Sequence, residues 1–222
     1  MSKSGKTWSS YFLELLVVIV GITIAFTLDR WSNTKKEQDL ELSYKASLVT
    51  DLEKDVDALK LVMDSTETII RYVSEVFQFN YSNAPLDSYT RYHVVSSYLT
   101  SYFYPQNGTY VSLVNSGDIS VIKDFELKKQ LSDHYNVKYK EIERIDNVIK
   151  NLVDNIVQPY VIDYVEFSPI KDGIEDAKPL KTNKAINMLG SVFNLLKQRQ
   201  IVYDSIRADA EKLVKRVKEE AK

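Results

Sequence analysis

The sequence predicts an all-α protein in which an N-terminal transmembrane helix continues into a long helix, followed by an antiparallel helical bundle. Three observations lead to this fold class. Glycine and proline, which favour turns, number only 6 and 5 among 222 residues. An apolar run occupies residues 11–28, and apolar residues then recur at spacings of three and four. Alternating, strand-like runs of any length are absent from the sequence.

The transmembrane helix is predicted from YFLELLVVIVGITIAFTLDRW, residues 11–31, in which Glu14 is the one charged residue before Leu28. Its apolar part is at the lower end of the length that crosses about 30 Å of hydrocarbon. Trp8, Tyr11 and Trp31 are predicted interfacial anchors at its two ends. A cleaved signal peptide is the main alternative, but the small-x-small cleavage site that it needs is missing.

Positive residues on both sides of the span bear on its orientation. Lys3 and Lys6 precede it, and Arg30, Lys35 and Lys36 follow it. The count favours the trailing side as cytoplasmic, whereas a short basic leader before an apolar run is the usual form of an uncleaved signal anchor. We predict that the leading tail is cytoplasmic and that the large domain lies on the other side of the membrane.

One face of the span is a candidate contact to another helix. Gly21 and Ala25 form a small-xxx-small pair, which lets a second helix approach closely. Glu14 has a structural interpretation, in which its side chain snorkels or takes a proton near the interface, and a functional one. The functional interpretation is a contact to a partner helix or a proton-accepting site, and the absence of a basic or histidine companion in the span favours the contact. The predicted partners are the lipid bilayer and either another integral membrane protein or a second copy of this chain.

The rest of the chain is predicted to be a stalk and a bundle. No glycine or proline interrupts residues 30–84, so the span should run on as one helix, with DLEKDVD (51–57) as a solvated face rather than a metal site. The predicted parts are a tail at 1–10, the span at 11–31, a stalk with the first bundle helix at 32–80, and the remainder of the bundle at 81–222.

Within the bundle, apolar spacing and turn residues predict four further helices. The first carries Tyr89 to Phe103, and the second is a short helix over 110–115 with Gly117 as a left-handed stop. Asp124 is the predicted N-cap of a long helix that ends at Pro159. A loop at 166–183 precedes a last helix over about 184–219, with Ile201 on its apolar side and a charged tail that frays.

Neither the composition nor the motifs of the sequence indicate catalytic activity or a bound cofactor. Lys and Arg number 29 against 31 Asp and Glu, which argues against a nucleic-acid partner, and the absence of cysteine excludes disulfides and thiol nucleophiles. His93 and His134 have no metal-ligand spacing, and no phosphate-binding loop or nucleophile elbow occurs. We therefore expect no catalytic residue, no metal and no cofactor. A group of aromatic residues is interpreted as a packed joint, with a ligand pocket as the alternative: Tyr98, Tyr102, Phe103, Tyr104 and Tyr110.

Two stretches together resemble a family of small bacterial membrane proteins known only as a domain of unknown function. The first, 13–55, has a Glu-led apolar span ending in Gly-Ile-x-Ile-Ala and a Trp, and the second, 109–136, has a Thr-Tyr-x-x-Leu-x-x-Ser-Gly element. The resemblance implies a single-pass anchor in a bacterial inner membrane and brings no activity. The second element is interpreted as a structural corner or a partner surface, formed by Thr109, Tyr110, Leu113, Ser116 and Gly117.

The function expected from these features is that of a non-enzymatic accessory or scaffold subunit of a membrane complex. It would act through the span and through a periplasmic helical domain. The alternative is a sensor or ligand-binding module that signals through a partner, because only about ten residues precede the span.

Overall fold

The computed structural model describes residues 8–165 and 177–220, and within these ranges every regular element is a helix. The predicted all-α class is confirmed. The predicted loop at 166–183 lies mostly outside the described residues, as do Lys3 and Lys6.

The first helix, α1 (Trp8–Asn80), contains 73 residues and is therefore about 110 Å long. It includes the whole apolar span and continues without a break into the bundle, as predicted. Its side chains from 11 to 28 are all exposed, and the regular burial of one face begins at Lys45 and Leu48. Helix α1 thus joins an apolar segment with exposed side chains to a packed helical domain.

The chain returns toward the span through two short helices, α2 (Ser88–Ser96) and α3 (Gly108–Ser116). Residues 97–107 between them are not helical, so the helix predicted to reach Phe103 ends seven residues early. The apolar spacing of this segment suits a helix, but its backbone and polar groups are instead held by side chains of two other helices.

The next three helices are joined end to end, α4 (Phe125–Asp133), α5 (Tyr139–Leu152) and α6 (Gln158–Tyr164), by π-helical turns at His134–Lys138 and Val153–Val157. The predicted stop at Pro159 is wrong. Proline has no N–H for the carbonyl four residues earlier and its ring crowds that carbonyl, but the wider π turn directly before Pro159 accommodates both effects.

The last helix, α7 (Asn183–Glu220), runs antiparallel to α1. Gly190 lies beside Phe77, whereas Lys218 reaches Glu53 at 2.5 Å, so the end of α7 lies near the start of the packed part of α1. Its charged tail does not fray, because Leu213 and Val217 are buried. Ile201, predicted on the apolar side, is exposed.

Candidate functional site

The predicted partner face of the span lies on the exposed part of α1. Glu14, Gly21 and Ala25 are separated by seven and four residues and therefore share one side of the helix. A Cβ added at Gly21 would meet no atom within 4 Å. By length and composition, α1 is the one helix among the described residues that is apolar enough to cross a membrane. The predicted anchors Trp8 and Trp31 are exposed at either end of this segment.

The corner element, residues 109–117, packs against α1 well beyond the span. Tyr110 and Leu113 are buried, whereas Ser116 and Gly117 are exposed. Gly117 has φ of 81°, which confirms the predicted left-handed stop of α3. The structure therefore keeps the corner and the partner face apart as two separate regions of the molecule.

Hydrogen bonds fasten the turn after the corner element to α1. The Asp118 carboxylate accepts from the Tyr44 hydroxyl and from the Ser116 hydroxyl, both at 2.7 Å. These two donors hold the pKa of Asp118 below its usual range, because they stabilise the ionised form. The hydrogen bond to Asp118 also raises the pKa of the Tyr44 hydroxyl.

The start of α4 connects α1 to the end of α7. Asp124 caps α4 by accepting from the Leu127 amide, which confirms the predicted N-cap, and it also pairs with Arg216 of α7 at 2.7 Å. Both interactions hold the pKa of Asp124 far below its usual range. Next to it, Lys123 pairs with Glu37 of α1 at 2.9 Å. This end of the bundle, the one nearest the span, is thus closed by contacts among three helices.

Asp55 is a buried polar residue that the sequence analysis missed. It lies in the run predicted to be a solvated face, yet its exposed fraction is 0%. Its carboxylate accepts from the Tyr139 hydroxyl at 2.5 Å and from the Gln106 amide at 2.7 Å. Burial raises the pKa of Asp55, and burial beside this carboxylate also raises the pKa of Tyr139. One turn away, Asp51 accepts from the Thr109 amide at 3.2 Å.

A second buried polar cluster joins α5 and α7. Asp146 lies 3.2 Å from Nε of Arg199 and accepts from the Tyr203 hydroxyl at 2.6 Å. Arg199, whose exposed fraction is 0%, also donates to the Thr100 hydroxyl at 2.7 Å and to the Ser101 carbonyl. An isolated buried guanidinium is costly, and the Asp146 carboxylate beside Arg199 offsets part of that cost.

Both clusters hold the non-helical segment 97–107 in place. Arg199 binds its first part, Asp55 binds Gln106, and Asp51 binds the amide of Thr109 just beyond it. Side chains from α1 and α7 thus satisfy backbone groups that a helix would have satisfied internally. This explains how the segment can be non-helical.

The first π turn directs two aromatic residues into the bundle. Tyr135 stacks on Tyr110 with ring centroids 4.6 Å apart, and the amide of Asn136 donates to the Tyr110 hydroxyl at 2.8 Å. His134, with an exposed fraction of 2%, packs against the Tyr139 ring. π turns are often found at functional sites.

We expect His134 to make the bundle sensitive to acid. Burial, reinforced by the charge of Lys138 and opposed by Asp209 and Asp133, lowers its pKa from 6.5 to about 4. The folded form stays neutral while the unfolded chain binds a proton, so stability is lost as the pH falls from 6.5 to about 4 and is constant above that range. The loss should be roughly 2–3 kcal/mol, measured by urea unfolding at several pH values.

The control for this prediction is His134→Phe, which keeps an aromatic ring and removes the titrating group. Its unfolding free energy should fall less steeply over the same pH range. Parallel curves for the two proteins would show that His134 does not contribute.

The comparison with known families identifies the chain at the level of a family. A family model described as a family of unknown function, DUF6090, matches residues 14–158, more than half of the chain. The chain belongs to DUF6090. This confirms the predicted membership of a family of unknown function. Neither the curated proteins nor the solved structures contain a significant match.

The DUF6090 match includes most of the features described above. It begins at Glu14 and contains Gly21, the corner element, Asp55 and Asp146. Helix α7, which supplies the partners of Asp146, lies beyond the matched range. Among the described residues, no group of three or more acidic or histidine side chains is placed to hold a metal ion.

Proposed function

We propose that this member of DUF6090 is a non-enzymatic, single-pass protein of a bacterial inner membrane that serves as an accessory or scaffold subunit of a membrane complex. Residues 11–31 form the helix that crosses the bilayer, and the bundle lies in the periplasm. The observation that carries the proposal is the continuity of α1, whose exposed apolar segment runs directly into the helix that forms the bundle core.

The face formed by Glu14, Gly21 and Ala25 supports docking of the span to another helix. In a bilayer, close packing at small residues and hydrogen bonds from polar residues drive helix association, because apolar side chains gain little by leaving lipid. The open space around Gly21 permits a backbone to approach there. Glu14 then supplies a polar contact at the same side of the helix.

The buried polar groups of the bundle support a structural role. Asp55 accepts hydrogen bonds from the Tyr139 hydroxyl and from the backbone amide of Gln106. Asp146 accepts from the Tyr203 hydroxyl and lies beside Arg199. Asp55 thus connects the non-helical segment to α1, and Asp146 connects α5 to α7. Their chemistry is thus used to fix the shape of a domain that presents surfaces to a partner.

The test is purification of the full-length protein in mild detergent, followed by mass spectrometry of the recovered complex. We expect a stoichiometric companion, either another membrane protein or a second copy of the chain. Gly21→Leu should sharply reduce its recovery because the added side chain blocks close approach, and Glu14→Ala should weaken it. Recovery of a lone monomer, unaffected by either change, would contradict the proposal.

Thr23→Leu provides a matched control, since Thr23 lies two residues from Gly21 and therefore on the opposite side of α1. Its hydroxyl only bonds the Ile19 carbonyl of the same helix, at 2.8 Å. The change places the same leucine side chain on the other side of the span and should leave the companion in place. Equal loss with Thr23→Leu and Gly21→Leu would show a general effect of bulk in the span.

A second candidate function is a periplasmic ligand-binding module that signals through a partner. The observation that favours it is an aromatic cavity in the bundle, of about 390 Å³, beside the non-helical segment.

A further inference from the structure

The aromatic cavity lies between the non-helical segment and α5, and its volume of about 390 Å³ falls within the range of small-molecule sites. Its two walls differ in chemistry. The non-helical segment supplies aromatic rings, whereas α5 supplies a row of exposed polar side chains: Lys140, Glu143, Asn147 and Lys150. Because these four positions are three or four residues apart, they share one side of α5 and extend over about 15 Å. The cavity is thus an elongated groove with one aromatic wall and one polar wall.

Two tyrosines of the aromatic wall offer ring surface that a ligand can reach. Tyr104 has an exposed fraction of 76%, and Tyr102 is partly exposed. The buried Arg199 guanidinium lies 5.6 Å from the centre of the Tyr102 ring and holds this ring in place. A fixed and accessible aromatic face suits a ligand that has an apolar face of its own.

Two asparagine side chains in the lining of the groove have unused hydrogen-bonding groups. Asn107 is at the N-cap position of α3, yet its side chain makes no capping hydrogen bond. Asn147 is exposed on α5, and within the described ranges neither side-chain amide has a hydrogen-bond partner. An amide group both donates and accepts hydrogen bonds, so these two residues match hydroxyl or amide groups of a ligand.

The charges around the groove compensate one another. Lys140 pairs with Glu143 at 2.6 Å, and Lys150 pairs with Asp154 at 2.9 Å. At the floor of the groove, the buried carboxylate of Asp146 lies beside Arg199. Each charged side chain that lines the groove therefore has a counter-charge, and the site suits an uncharged ligand.

We propose that this groove binds a short, uncharged oligosaccharide. A pyranose ring has an apolar face of C–H groups and a rim of hydroxyl groups, which is the combination that the two walls complement. The C–H face lies on the rings of Tyr102 and Tyr104, and hydroxyl or N-acetyl groups bond with Asn107 and Asn147. The inference gives a ligand class to the second candidate function. It does not depend on the membrane partner, since recovery of a companion protein and binding of a sugar are separate measurements.

The binding test titrates sugars against the full chain in lipid nanodiscs, because many mild detergents carry sugar headgroups, and saturation-transfer NMR detects binding. The probes are chitotetraose and cellotetraose, which are uncharged, and tetragalacturonate, which has a carboxylate on each ring. Empty nanodiscs are the blank. At least one uncharged probe should bind, with the strongest transfer at its C–H protons, and tetragalacturonate should bind much more weakly. Absence of binding by both uncharged probes, or equal binding of tetragalacturonate, would overturn the proposal.

Variants on the two walls locate the binding. Tyr104→Ala should weaken binding about tenfold and Asn147→Ala about fivefold, because they remove the ring surface and one hydrogen bond. Both residues are exposed, so the melting temperature of the free protein should not change. Tyr104→Phe keeps the ring and should bind normally.

Tyr81→Ala is the matched control, since Tyr81 has the same exposed fraction of 76% and lies outside the groove, just after the end of α1. It should leave the affinity unchanged. Equal effects of Tyr104→Ala and Tyr81→Ala would show binding to exposed tyrosines in general, and the proposed groove would be rejected.

Discussion

Replacing Asp146 by alanine is expected to lower the free energy of unfolding by about 3–5 kcal/mol, because it leaves the fully buried Arg199 guanidinium without its counter-ion. The change also removes the acceptor of the Tyr203 hydroxyl. Urea unfolding followed by circular dichroism measures the loss. Arg207→Met, which breaks only the pairs with Asp204 and Glu211 on the surface of the same helix, should cost about 1 kcal/mol or less.

A double variant distinguishes a lost attraction from a stranded charge. Asp146→Leu combined with Arg199→Met removes both charges and replaces them by apolar groups. It should recover most of the stability lost by Asp146→Ala, since two absent charges need no compensation. A double variant that is less stable than Asp146→Ala would show that the hydrogen bonds of Arg199 to Thr100 and Ser101 matter more than its pairing.

Replacing Asp55 by alanine is expected to lower the free energy of unfolding by about 2–4 kcal/mol. The buried Tyr139 hydroxyl loses its acceptor, and an orphaned buried group costs about 1–3 kcal/mol. The part-buried hydrogen bond from the Gln106 amide is lost as well. Because Gln106 belongs to the non-helical segment, its amide should also exchange hydrogen faster in the variant. Urea unfolding and hydrogen exchange measure these two effects.

Asp57→Ala is the matched control, since Asp57 lies in the same acidic run two residues away and is exposed. It should change the stability by less than about 0.5 kcal/mol. Similar losses of stability for Asp55→Ala and Asp57→Ala would contradict the special role of the buried Asp55. The whole acidic run would then be a solvated face, as its composition suggests.

The long helices were predictable because their signal is local. Apolar residues of α1 and α7 repeat at three and four positions, and only a helix buries such a pattern on one side. The stop at Gly117 and the cap at Asp124 depend on one residue each, since a left-handed turn favours glycine and a helix start needs a side-chain acceptor.

The buried polar clusters were not predicted because their partners are far away in the chain. Asp55 and Tyr139 are 84 residues apart, and Asp146 and Tyr203 are 57 apart. A weaker signal was nevertheless available. Asp55 lies between Leu52 and Leu59 on the apolar side of α1. Because that side of the helix is buried, a charged residue at this position is buried with it.

The non-helical segment and the π turns depended on context that spacing does not record. A helical spacing is followed by Tyr89, Tyr92, Val95, Leu99 and Phe103. Hydrogen-bonding groups of α1 and α7 nevertheless decide the backbone conformation after Ser96. Likewise, Pro159 normally ends a helix, and only the preceding π turn permits it here.

In the proposed architecture, α1 remains one helix from the apolar span to the bundle. The chain has no cysteine, so cysteines introduced at the exposed Arg30 and Lys60 would be the only sites for spin labels. Double electron–electron resonance in lipid nanodiscs should give one narrow distance distribution near 45 Å, the length of thirty helical residues. A broad distribution, or one centred well below this distance, would show that the helix breaks between the span and the bundle and would contradict the account.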